Sequence, residues 1–268
     1  MECSEDLEEG NYFFFDNVLQ YIEKADNAKI DLTSDGAYSC CESFYNLWNS
    51  KLNTEENAKT ICKQFIKLYK SLPHIKGLSN NDLACKKDCG FFNYWLNFKL
   101  YNNVINNDIC VFTFYNELES HCSEELQHSL SKCKMCNIMK DELDNMTILY
   151  NLHNKRNEIN TIINLQRDLE RSKLNELSSE CSTKYKKGLA MCHNKDDKFC
   201  ELLENFKKKY EELYPTVETK GHDYSKYFKR LSGDENINMI STAVIGSAVV
   251  LIPLLGILYK VSELNIKL

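Results

Sequence analysis

The chain has 268 residues, 43% of them hydrophobic and 27% charged, with a formal net charge of −6. That is ample apolar material for a packed domain and excludes a disordered stalk, while the acidic balance speaks against nucleic acid, which calls for clustered Lys and Arg with aromatics among them. Nine Gly and three Pro are too few breakers to punctuate a turn-rich β architecture, so the expected fold class is all-α.

Asn11 to Lys24 carries Phe14, Phe15, Val18, Leu19 and Ile22 at spacings of three and four, which predicts an amphipathic helix. A polar loop, DLTSDG, follows at residues 31–36. Tyr38 to Leu52 resumes a helical pattern through Phe44, Tyr45, Leu47 and Trp48. Thr54 is placed to cap a third helix whose inner face is Ile61, Phe65, Leu68 and Tyr69, and Pro73 ends it. Ser79 or Asn80 is placed to cap the most aromatic stretch of the chain, ACKKDCGFFNYWLNFKLYNNVIN. Cys85, Cys89, Phe92 and Leu96 share one helical stripe and Phe91, Trp95 and Phe98 the next. A helix apolar over so much of its circumference belongs at the centre of the fold.

The run Cys85-x-x-x-Cys89-x-Phe91-Phe92-Asn93-Tyr94-Trp95-Leu96-x-x-Lys99-Leu100 resembles the signature of the Plasmodium interspersed repeat family, in particular its vivax-type variant (Vir) proteins. LIPLLGILYK at residues 251–260 is similar to that family's membrane span and its exit. The stretch VSELNIKL after it departs from the longer tail common in the family, which puts the role of that tail in doubt here. The resemblance implies a variant surface antigen of an intraerythrocytic malaria parasite, exported to the infected red-cell membrane or surface. Host antibodies would be its partners, host-cell receptors further candidates, and antigenic variation its role.

After the signature, Val111 to Glu119 reads as helix, and Glu124 to Met139 brings more cysteines together. A long helix is expected from about Lys140 to Leu177, with Leu149, Leu152, Ile159, Ile162, Ile163, Leu165 and Leu169 on its apolar side. Arg156 and Gln166 interrupt its near-heptad seam, so a bundle helix is the expectation and a self-associating coiled coil the alternative. Thr183 to Met191 and Lys195 to Tyr214 form a further pair, with Cys192 and Cys200 at the turn. The domain is expected to cover residues 1–214, followed by a polar connector at 215–236.

Ile237 to Tyr259 has no charge, and a helix of that length spans roughly 34 Å, enough to cross a hydrocarbon core of roughly 30 Å with some tilt. A single transmembrane pass with a short tail at 260–268 is therefore expected. Basic residues flank it almost evenly, at Lys226, Lys229 and Arg230 before and Lys260 and Lys267 after, so charge does not orient it. The acidic opening, MECSEDLEEGNYFFF, does not read as a signal peptide.

All thirteen cysteines precede the span, as an oxidising compartment would produce. Cys3 stands near the start. Cys40, Cys41, Cys62, Cys85, Cys89, Cys110, Cys122, Cys133, Cys136, Cys181, Cys192 and Cys200 are disulfide candidates whose pairing the sequence leaves open. Cys133-x-x-Cys136 with His121 and Cys122 upstream is one tight pair where a zinc motif shows two, so no metal site is expected, and no cofactor. His74, His121, His128, His153, His193 and His222 lie scattered with no nucleophile motif, phosphate loop or metalloprotease helix, and catalysis is not expected. Asn145-Met146-Thr147 is a glycosylation sequon. The basic runs at Lys184, Lys186 and Lys187 and at Lys207, Lys208 and Lys209 read as solvated faces. Apart from the antigen, the architecture also fits an intracellular tail-anchored scaffold, or a protein that occupies a membrane by self-association.

Overall fold

A computed structural model of the chain describes residues 9–30, 38–48, 51–52, 55–76, 82–103, 110–126, 133, 135–165, 171–192 and 197–231. Among these residues there is no strand. The helices are α1 (Val18–Lys29), α2 (Cys40–Trp48), α3 (Glu55–Ser71), α4 (Leu83–Asn103), α5 (Val111–His121), α6 (Ser123–Leu126), α7 (Lys140–Leu165), α8 (Arg171–Met191), α9 (Lys198–Glu211), α10 (Tyr214–Thr219) and α11 (His222–Ser225). Two 3-10 segments, Glu9–Asn17 and Pro73–Lys76, precede α1 and α4.

The first expected helix is α-helical only from Val18. Phe14 and Phe15 are both fully buried, and two neighbours in sequence cannot both face one surface from one stripe of an α-helix. The tighter 3-10 winding turns Phe14 onto α4, 5.4 Å from the rings of Phe91 and Tyr94, and Phe15 towards His153 of α7. Asp82 caps α4 by accepting from Ala84 N at 3.1 Å; the expected cap residues Ser79 and Asn80 lie outside the described residues.

The long helix expected over 140–177 is two helices. α7 and α8 fold back on each other as an antiparallel hairpin: Lys155 pairs with Glu180 at 3.1 Å, and Gly188 packs beside Ile148. Of the apolar seam of α7, Leu149, Leu152, Ile159 and Ile163 are fully buried within the chain, as are Leu174 and Leu177 of α8, while Ile162 is half-exposed and Leu169 lies outside the described residues. α9 packs on the same hairpin, and α1 and α4 also rest on α7, so α7 is the hub of the domain.

Residues expected to form a polar connector fold back instead. Pro215 occupies the first turn of α10, where its missing N–H costs nothing. Val217 is fully buried, Phe228 stacks on Tyr210 at 4.9 Å, and Ser178 Oγ both donates to Tyr227 O and accepts from Lys229 N. Tyr210 Oη donates to Lys229 O, and Arg230 Nε donates to Glu211 at 2.8 Å. The helical unit accordingly runs to Arg230, and a second unit covers Leu231–Leu268. Among the described residues no helix is long and apolar enough to cross a membrane; residues 237–259 lie outside them, as does the tail at 260–268.

Candidate functional site

The signature residues lie in α4 and are used almost wholly for packing. Phe91, Phe92 and Leu96 are fully buried, and Tyr94, Trp95 and Leu100 are nearly so. Phe92 meets Phe65 of α3 at 4.4 Å while Phe91 meets Tyr21 of α1 at 4.7 Å, so adjacent faces of one helix serve two neighbours. This explains why the stretch is apolar over so much of its circumference. Lys99 lays its ammonium 5.5 Å from the Trp95 ring, and burial, then Lys29, lower its pKa.

Two asparagines of α4 perform a specific task. Asn93 Oδ1 accepts from Cys136 N at 3.1 Å, and Asn97 Oδ1 accepts from Ile138 N at 2.9 Å. Asn97 Nδ2 donates to Cys136 O and to Asn93 O, both at 2.9 Å. Residues 135–139 are not helical, so their backbone groups need partners; the asparagine amides supply them where a strand neighbour otherwise would. The signature makes Asn93 noticeable. Asn97 falls on one of its unspecified positions and could have been found only by its i+4 spacing from Asn93.

The bridges are now assigned. Cys40 pairs with Cys122, Cys41 with Cys62, Cys89 with Cys133 and Cys192 with Cys200, and Cys110 is also disulfide-bonded. Three candidates are outside the bridges: Cys85, Cys136 and Cys181 are buried thiols. Cys85 and Cys89 share a face one turn apart, with sulfurs at 4.0 Å, but Cys89 is bonded to Cys133. Cys136 Sγ instead accepts from Asn93 Nδ2 at 3.8 Å. Cys181 is enclosed within α8, where burial pushes its thiol up to about 12, against the lowering effect of Lys155, Arg156 and Lys184; such a thiol is inert.

The bridges 40–122 and 41–62 stand side by side, with all four sulfurs within 4.8 Å of one another and those of Cys62 and Cys122 at 3.9 Å. Phe44 and Trp48 of α2 meet Phe114 of α5 edge-on at 5.0 and 4.8 Å, and Phe44 also meets His121, the residue before Cys122, at 6.3 Å. No tight spacing motif marks this cluster in the sequence. Cys40 and Cys41 are adjacent, but Cys62 and Cys122 come from distant helices and meet only through the fold.

Of the scattered histidines, His153 lies buried in α7. Burial, then Lys209 and Arg156, hold it at about 3, so it is neutral at ordinary pH. It packs edge-on against Phe206 at the base of a cleft of about 290 Å³ that Asp16, Lys208, Lys209 and Glu212 also line. The main-chain N–H of His74 donates to Asp88, whose other oxygen accepts from Tyr21 at 2.8 Å; the carboxylate thus ties α1 and the second 3-10 turn to α4. Asn145 is in α7, half-buried, rather than in the exposed loop that a glycan acceptor normally occupies. Lys186, Lys187, Lys208 and Lys209 are exposed, with Lys184 and Lys207 partly covered. No protein-family model, no curated protein and no solved structure matches the chain.

Proposed function

We propose that this chain is a variant surface antigen of the Plasmodium interspersed repeat type, a non-catalytic membrane protein whose helical domain is presented for recognition by host antibodies and host-cell receptors. The observation that carries the reading is the division of labour within α4. Most of the residues that bear the family resemblance are buried, Asn93 accepts from Cys136 N and Cys89 is cross-linked to Cys133, so they serve as scaffold. Substitution of exposed positions then leaves the fold intact, which is what antigenic change requires. Several disulfides across one domain also suit an oxidising environment.

Under this reading the changeable surface is sought in the polar loops 26–36, 73–82 and 193–198, of which residues 31–36, 77–81 and 193–196 lie outside the described residues. Treating intact infected cells with a membrane-impermeant protease, followed by thiol counting on the recovered fragment, tests the reading. Cleavage without lysis and a majority of cysteines blocked as disulfides is the expected result. Protection together with free thiols throughout would overturn it in favour of a cytosol-facing, tail-anchored scaffold.

A further inference from the structure

Two cross-links that join α2 to α3 and α2 to the end of α5 do not need to touch. Here they do, and four sulfurs from three helices crowd into one spot. We propose that, once both bridges are reduced, Cys40, Cys41, Cys62 and Cys122 bind a single zinc ion as a four-thiolate site. The inference is independent of the antigen reading.

The distances fit. Zinc–sulfur bonds of about 2.3 Å in a tetrahedron set neighbouring sulfurs about 3.8 Å apart. Cys62 and Cys122 already stand at 3.9 Å, and no pair exceeds 4.8 Å. Breaking each S–S bond forces its two sulfurs apart to van der Waals separation, which is near the tetrahedral edge. The four side chains therefore need only small adjustments to reach zinc geometry, and the bound zinc would take over from the bridges in joining α2, α3 and α5.

The surroundings fit a soft dication as well. Cys41, Cys62 and Cys122 are buried, and the α2–α5 contact that the 40–122 bridge joins also packs Phe44 and Trp48 on Phe114, while Cys40 is half-exposed and leaves one edge open for entry. Cys40 and Cys41 are the first two residues of α2, whose nine residues present their positive dipole end to the thiolates. Hard cations are disfavoured by an all-sulfur donor set.

The chemistry balances with a dithiol as reductant. Each bridge takes up two electrons and two protons from one dithiol, which closes to its own disulfide, so two dithiols yield four thiols here. Zinc then displaces up to four protons as the thiolates bind. The same four side chains thus join the same three helices in either state, as two disulfides where conditions are oxidising and as a zinc centre where they are reducing.

The test uses the full chain in detergent, reduced with a dithiol, freed of it under inert gas and treated with zinc alone. Uptake of one zinc per chain is expected, with alkylation of Cys40, Cys41, Cys62 and Cys122 slowed by on the order of tenfold or more while Cys192 and Cys200 react as before. Protection of a different set, or none, or no uptake at one equivalent, overturns the proposal. Cobalt(II) gives a second measurement. The spectrum of tetrahedral tetrathiolate cobalt should survive in a chain carrying Cys89→Ser and Cys133→Ser and vanish in Cys62→Ser, whose fold is checked in the oxidised form by its helical circular dichroism. Loss in the first variant or persistence in the second would equally sink the idea.

Discussion

Residues 9–139 are closed by bridges spanning 82, 44 and 21 residues, whereas the α7–α8–α9 bundle carries one spanning 8. In the first region α2 has 9 residues and α5 has 11, too short to persist alone, and their contacts reach far along the chain. In the second, α7 has 26 residues and α8 has 21, they are neighbours in sequence and pack on each other, and Leu149, Leu152, Ile159, Leu174 and Leu177 are buried. A long helical hairpin needs little more than its own apolar stripe. Short helices brought together from distant parts of the chain need covalent help, because loop closure must be met before contacts are gained.

Removing bridges one at a time should separate the two regions most clearly. Closing an 82-residue loop lowers unfolded-state entropy by an amount worth roughly 4.5 kcal/mol, against roughly 2.5 kcal/mol for an 8-residue loop. Cys40→Ala with Cys122→Ala should therefore cost about 4 kcal/mol in urea unfolding, and Cys192→Ala with Cys200→Ala about 2 kcal/mol. Equal losses would mean that the front region does not depend on its cross-links more than the back.

The next effect isolates the asparagine clamp. Asn97→Ala removes the acceptor for Ile138 N and the donor to Cys136 O in a buried place, with an expected loss of about 2–3 kcal/mol. Asn164→Ala removes a bond of similar form, donated to Asn160 O at 2.8 Å, but on the exposed face of α7, and should stay within about 0.5 kcal/mol. Hydrogen exchange at Ile138 should accelerate only in the first variant.

The sequence made the helical class and the central role of α4 legible, because an apolar pattern at 3.6 residues per turn has one reading once Gly and Pro are scarce. It did not show the break between α7 and α8. Residues 166–170 contain neither Gly nor Pro, and the pattern of Leu and Ile continues across them. Nor did it show that residues 214–230 belong to the domain, since Val217 and Phe228 are single apolar residues in a polar stretch whose partners, Tyr210 and Ser178, lie on other helices. Disulfide pairing was open for the same reason. Cys85 and Cys89 are equivalent by spacing, and only the position of Cys133 decides between them. The four-sulfur cluster is a product of tertiary placement, with just the Cys40-Cys41 doublet visible beforehand.

Acid should act on the second region through His153. Its folded pKa, about 3, is below the ordinary value of 6.5, so between those values the unfolded chain binds the extra proton and stability falls as pH falls. At pH 5 the loss relative to neutral pH should be about 2 kcal/mol. Glu142 works in the opposite direction, its carboxyl raised chiefly by burial, so the comparison must be made within one background. His153→Leu should remove the histidine part of the slope between pH 7 and 5 while leaving the Glu142 part. An unchanged slope would show that His153 does not stay neutral between Lys209 and Phe206.

A glycine substitution probes how closely α8 packs against α7 and α9. A Cβ added at Gly188 of α8 would stand 3.1 and 3.2 Å from the two methyls of Leu203 and 3.3 Å from Ile148. Those contacts are too tight to be free, but each ends on a rotatable side chain rather than on backbone. Replacing Gly by Ala inside a helix contributes about 1 kcal/mol in propensity, and crowding of this kind costs about 1–3 kcal/mol. Gly188→Ala should therefore lose about 1 kcal/mol in urea unfolding, whereas Gly188→Val, with two more carbons against the same methyls and no propensity gain of that size, should lose several times as much. If the valine variant were as stable as the alanine one, Leu203 and Ile148 would have room to withdraw. The α7–α8–α9 bundle would then be held by its apolar area alone and not by close fit at this crossing.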